Sequence, residues 1–227
     1  MERERIARVD LHSPRPSSAA VREMAEAART QYVLIQLTDN TVSLGYGAEQ
    51  RLLQVADSTG AVMVYADFYE TEEGQRTKHP VIDYQEGALR DDFDFGPLVL
   101  VRTDAILRCD LGGNWLYGGW YDLRLQLSRQ GAIFHVNEYL YMEEKQPVSA
   151  EGERQFDYVD PRNRDVQVEM EQIVTEHLRA VGGLVHTDRY QKPDVEGDFP
   201  VTASVIIPVL NRAKTIGDAV ESALGQE

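Results

Sequence analysis

Cysteine is all but missing from this chain. Cys109 stands alone, so no disulfide can form within it, which fits a reducing compartment. Long hydrophobic runs are missing as well. No stretch of membrane-spanning length occurs, and Met1-Glu2-Arg3-Glu4-Arg5 offers no apolar signal core. These absences predict a cytoplasmic chain with no membrane segment of its own; a longer parent could still lie against a membrane. Basic charge is scarce: 23 Lys and Arg face 38 Asp and Glu, for a net charge of −15. A nucleic-acid binder needs a basic face, so that class is disfavoured. A nucleotide can still be held, because helix N-termini and a bound cation handle phosphates locally. The five histidines, at 12, 79, 135, 177 and 186, have no metal-ligand spacing. No internal repeat is visible.

What is present is an ordinary globular composition, 42% apolar, on a chain long enough for one core plus an appendage. Ile6 to Leu11 reads as a short strand. Ser18 to Arg29 reads as a helix with Ala20, Val21, Met24, Ala27 and Ala28 on one face. Tyr32 to Leu37 is a buried-type strand ended by Thr38-Asp39-Asn40. Gly47 to Asp57 reads as helix, and Gly60 to Asp67 as another apolar strand. A hairpin turn is expected at Glu73-Gly74, a strand at Pro97 to Val101, and a short helix near Thr103 to Arg108. A helix then runs from Trp120 to Gln130 and a strand from Ile133 to Tyr141. This order predicts an α/β fold with a mostly parallel sheet flanked by helices. In such sheets ligands sit beyond the C-terminal strand ends, where Asp39 and Asp67 both fall.

After Met142 the character changes. Residues 145–200 read as a linker carrying one amphipathic helix. Asp160-Pro161 is its N-cap and first position, and Val166, Met170, Ile173, Val174, Leu178 and Val181 form its stripe. That stripe must be buried, and an interface between two domains is the natural place. A strand at Val201 to Pro208 and a helix from Ala213 to Leu224 follow, the first half of a βαβ unit. The expected division is therefore 1–144, 145–200 and 201–227, the last being the truncated start of a further domain in a longer protein.

Two stretches resemble a known family. Ile207-Pro208-Val209-Leu210-Asn211, with Ile216, Ala219-Val220, Ser222, Leu224 and Gln226, resembles the opening strand and helix of family 2 glycosyltransferases of the GT-A fold. Leu210 stands where the family often has an aromatic. Residues 20–144 resemble the middle and later parts of the same Rossmann-like fold. Leu37-Thr38-Asp39 falls on the Asp-x-Asp metal motif, and Met63-Val64-Tyr65-Ala66-Asp67 on the next strand. Gly119-Trp120-Tyr121-Asp122-Leu123 falls on a helix start whose Glu-Asp pair supplies the base, and here that pair is Gly119-Trp120. The resemblance implies a GT-A-like domain short of two acids, followed by the start of a second. It implies that Pro208, Asn211, Arg212 and Asp67 contact a nucleotide-diphosphate sugar. It also implies a Mg or Mn ion in the parent, with Asp39 as its remaining ligand.

The chemistry explains why acids matter. A divalent cation neutralises the diphosphate leaving group through carboxylate oxygens, and an inverting enzyme needs a carboxylate base. Each candidate also has a plainer reading. Asp39-Asn40 can simply make a turn. Asp67 can cap one, and Asp122, the one candidate for a catalytic acid, can cap its helix. Asp91-Asp92-Phe93-Asp94-Phe95-Gly96 reads as a solvated loop packed through its phenylalanines. His135 reads as a satisfied core or edge residue, and Cys109 as no nucleophile. Three functional readings follow. In the first, this is the N-terminal portion of a glycosyltransferase acting on a glycan acceptor, itself catalytically incomplete. In the second, it is a non-catalytic GT-A-like module for acceptor binding, domain packing or homodimer formation. In the third, Asp39, Asp67 and Asp122 converge and the N-terminal domain is active. Convergent acids around a phosphate-sized pocket favour the third; a filled pocket favours the second.

Overall fold

Tyr32-Val33-Leu34-Ile35 and Leu98-Val99-Leu100-Val101 have no polar face, so both must sit inside a sheet covered on both sides. The computed structural model, which describes residues 5–145, 164–191 and 204–225, places them side by side at the centre. The strands are β1 (Ile6–Asp10), β2 (Tyr32–Gln36), β3 (Thr41–Leu44), β4 (Met63–Glu72), β5 (Gln75–His79), β6 (Leu98–Arg102) and β7 (Ile133–Glu144). Their order is β1-β2-β6-β4-β7-β3, with β5 paired to β4. β1, β2, β4 and β7 run one way, β1 parallel to β2 and β4 parallel to β7. β6 runs against β2 and β4, between them. The α/β sheet flanked by helices is as expected. The reversal of β6 was not foreseen, nor were β3 and β5, whose polar residues give little strand signal.

Helix α1 (Ser18–Ala27) starts at Ser17, whose hydroxyl accepts the Ala20 N–H at 3.3 Å. It buries Val21, Met24 and Ala25. Helix α2 (Ala48–Thr59) is bounded by Gly47 and Gly60, and α3 (Thr103–Leu107) directly follows β6. Helix α4 (Gly119–Ser128) is apolar on two sides. Trp120, Leu123 and Leu127 join the main core, while Tyr121 and Leu125 face outward. That outer side is covered by α5 (Arg164–Ala180), through Met170 and Ile173. The stripe on α5 therefore finds its seat on α4, not between two domains. The expected cap at Asp160-Pro161 lies outside the described residues.

The chain divides into two compact units, Met1–Val185 and His186–Glu227. Among the described residues, the second holds a 3-10 turn, Thr187–Arg189, and helix α6 (Ile216–Leu224). The strand expected up to Pro208 does not form among the described residues. Ser204 to Val209 is unpaired, and Ile206 is 87% exposed. An apolar β-branched run becomes a strand only when neighbours take its N–H and C=O groups. Among the described residues, no helix is long and apolar enough to cross a membrane.

Candidate functional site

The C-terminal edge of β1, β2 and β4 is where a ligand would be sought. Asp39 lies there, in the turn after β2. Its side chain is 72% exposed, and the nearest basic group is His12 Nδ1 at 3.9 Å. The rest of the turn is tied inward. Thr38 and Asn40 donate to Glu143 Oε1 at 3.0 and 2.8 Å, and Gln36 donates to Asp10 at 2.9 Å. Glu143, on β7, is buried. It belongs to this edge, yet as a polar residue at a strand end it gave no signal in the sequence.

Asp67 is elsewhere and differently used. It sits in β4 where the pairing with β7 shifts register, and it is 1% exposed. Its Oδ1 accepts the Val81 N–H at 2.9 Å and lies 2.9 Å from His135 Nε2. The other ring nitrogen of His135 is 2.7 Å from Asp83 Oδ1. The imidazole, stacked on the Tyr65 ring, thus joins two carboxylates. His135 is indeed a satisfied residue.

These contacts belong to a larger fastening. Residues 80–97 lead from β5 back to the start of β6, crossing the C-terminal ends of β2 and β4, where Leu37 N donates to Pro97 O at 2.8 Å. Tyr65 donates its hydroxyl to Ile82 O at 2.6 Å. Tyr121 donates to Leu89 O. Arg124, 1% exposed, donates to Ala88 O and Arg90 O at 2.8 and 2.5 Å. Burial holds the Arg124 guanidinium below its ordinary value and pushes the Tyr121 phenol up to about 12. His79 bridges Glu70 and Asp94 at 2.9 and 2.7 Å. On the inner side of the loop, Tyr84, Phe93 and Phe95 pack edge-on or tilted against one another, and Phe95 meets the Tyr65 ring edge-on. The reading of the acidic 91–94 stretch as a loop packed through its phenylalanines holds. Gly96 closes it: φ is +72°, and a Cβ there would lie 2.3 Å from the Tyr141 hydroxyl.

Asp122 lies in the first turn of α4 but caps nothing. Its carboxylate accepts from Trp115 Nε1 at 3.2 Å and Gln126 Nε2 at 3.1 Å. Burial raises it above its ordinary value, against those two bonds. Glu169 of α5 instead holds the turn that leads into α4, accepting from the N–H groups of Leu116, Tyr117 and Gly118 at 2.8, 2.6 and 2.7 Å, while the Gly119 N–H donates to Pro16 O at 2.9 Å. Nothing in the sequence spacing links Glu169 to that turn.

Asp39, Asp67 and Asp122 therefore keep separate company. Among the described residues, no group of three or more His, Cys, Asp or Glu side chains is arranged to hold a metal ion. The residues present do not fit the cation that the resemblance implied at Asp39. A depression of about 170 Å³ lies by the strand ends, lined by Arg8, Val9, Asp10, Leu34, Gln36, Val42, Leu44 and Leu98. That is below the several hundred Å³ usual for a small-molecule site. Pro208, Asn211 and Arg212 form the exposed turn before α6, with Asn211 at φ +57°. Burial pushes the Cys109 thiol up to about 11, so its thiolate is scarce near neutral pH.

The fold defines an α/β protein whose own loop covers Asp67 and the C-terminal end of the apolar part of β4. No protein-family model matches the chain, nor does any curated protein. Among solved structures it is similar to Staphylococcus aureus TarS, residues 1–349 in complex with UDP-GlcNAc. The identity is 13% and the TM-score 0.43, over 73% of this chain and 52% of that one. The chain spans about half the length of that structure.

Proposed function

We propose that this chain belongs to a nucleotide-sugar glycosyltransferase system and that residues 5–145 form a GT-A-like module with no donor site of its own. Its role is architectural: it packs against or orients the parts that carry the sugar transfer and the glycan acceptor. The sequence resemblance over residues 20–144 and around Pro208, Asn211 and Arg212 supports the family reading. One observation carries the non-catalytic part. Asp67, the acid best placed to meet a nucleotide, is consumed inside the protein by Val81 and His135, beneath a loop fastened from five other side chains.

Calorimetric titration of UDP-GlcNAc and UDP-glucose, with and without manganese, tests this. The module reading expects no binding heat in either case. Metal-dependent binding that Asp39→Ala abolishes would overturn it and restore a working donor site.

A further inference from the structure

The opposite edge of the sheet carries side chains that nothing above employs. β6 enters α3 there, and α4 ends there before β7 begins, away from Asp39 and Asp67. Arg108, Gln126, Arg129 and Gln130 line a depression of about 420 Å³. Its walls are two guanidiniums and two carboxamides, with no carboxylate among them.

The lining is held in place. Gln126 is 8% exposed and clamps Asp110 from both sides, accepting its N–H at 2.8 Å and donating to its carbonyl at 2.7 Å. Gln130 accepts from Arg108 Nε at 3.0 Å and donates to Ala105 O at 3.0 Å. Both amides thus spend themselves on the walls, while the arginines keep donors to spare. Arg108 gives one more N–H to Asp104 at 2.8 Å, and Arg129 gives one to His177 Nδ1 at 3.1 Å. Among the described residues Arg129 has no carboxylate partner.

Asp104 is shared by Arg102 and Arg108. Asp110 and Asp122 keep their charge but accept from protein donors, Asp110 from the Gly112 N–H and Asp122 from Trp115 and Gln126, and Glu176 of α5 also acts on Asp122. A helix C-terminus attracts one cation. Arg129 is the C-cap of α4 and Arg108 the C-cap of α3, and the two helix ends meet at this depression.

We propose that this depression is a binding site for an oxyanion, the phosphate or carboxylate of a small ligand, gripped by the free N–H groups of Arg108 and Arg129. The proposal stands apart from the glycosyltransferase reading and survives its failure. His177 reports on it. Burial first, then the charges of Arg129 and Arg124, hold this imidazole below its ordinary value. An anion on Arg129 offsets part of that effect.

The test is an NMR titration of the full chain with sodium phosphate, glucose 6-phosphate and sodium acetate, against sodium chloride at matched ionic strength. Resonances of the His177 ring and the Gln130 side-chain amide are followed. The expected result is a saturable shift with phosphate, glucose 6-phosphate or acetate that chloride does not reproduce. Arg129→Gln and Arg108→Gln should each weaken it at least tenfold while leaving the spectrum dispersed. Saturation by the phosphates alone assigns a phosphate ligand; saturation by acetate too widens the class to carboxylates. Drift no different from chloride, or saturation unchanged in both variants, overturns the proposal.

Discussion

Asp67 shows how one residue can carry two readings. At the end of an apolar strand it looks like a ligand for a ribose or a base. In the fold it bonds one backbone N–H and one imidazole in a buried setting, and these two roles predict different behaviour. Asp67→Ala should leave the Val81 N–H and the Nε2 of His135 unpaired and cost roughly 2–4 kcal/mol of stability by urea unfolding. A nucleotide ligand would instead leave stability nearly unchanged. The sequence made Asp67 visible because acids at strand ends are few. It hid the partners, because Val81, Asp83 and His135 come from distant stretches and meet only through β4–β7 pairing and the return of residues 80–97. Glu143 and Glu169 were hidden for the same reason: their meaning lies in the N–H and hydroxyl donors that the fold brings to them.

At the scale of elements, apolar periodicity identified the main helices and β1, β2, β4, β6 and β7. It could not say that α4 is apolar on two sides because two neighbours cover it. That double packing makes the start of α4 intolerant of side chains. A Cβ on Gly119 would lie 2.4 Å from the Ser17 backbone carbonyl carbon and 2.5 Å from the Ser18 nitrogen. A Cβ on Gly118 would meet the flexible tips of Ile173 and Met170. Gly119→Ala should therefore lower the melting temperature far more than Gly118→Ala. Equal effects would mean that α1 gives way as readily as α5. The unpaired run before Pro208 teaches the converse. Its composition is that of a strand, and among the described residues it forms none.

For the whole molecule, the surface acids set the response to pH. Hydrogen bonding from Arg102, and then Arg108, holds Asp104 down to about 2. Its folded value is thus below its unfolded one, so its stabilisation is present above about pH 4 and lost as pH falls toward 2. The pair is half exposed, which keeps the effect modest. Denaturant midpoints measured from pH 5 to 2 should fall less steeply for Asp104→Asn than for the wild type. An identical pH slope would mean that the ion pair is screened out.

The parallel pairing of β4 with β7 also has a consequence for how the protein is made. Met63 finds Ile133 only after the 80–97 return, β6, α3 and α4 have all been synthesised. Until then β4 can pair with β5 and β6, but its other register face is bare for much of its length. Such long-range closure is slow, and an exposed apolar edge invites pairing with another chain. A nascent chain stalled before residue 133 is therefore the form of this protein most in need of a chaperone, and truncations that remove β7 should accumulate as aggregate rather than as a smaller folded unit.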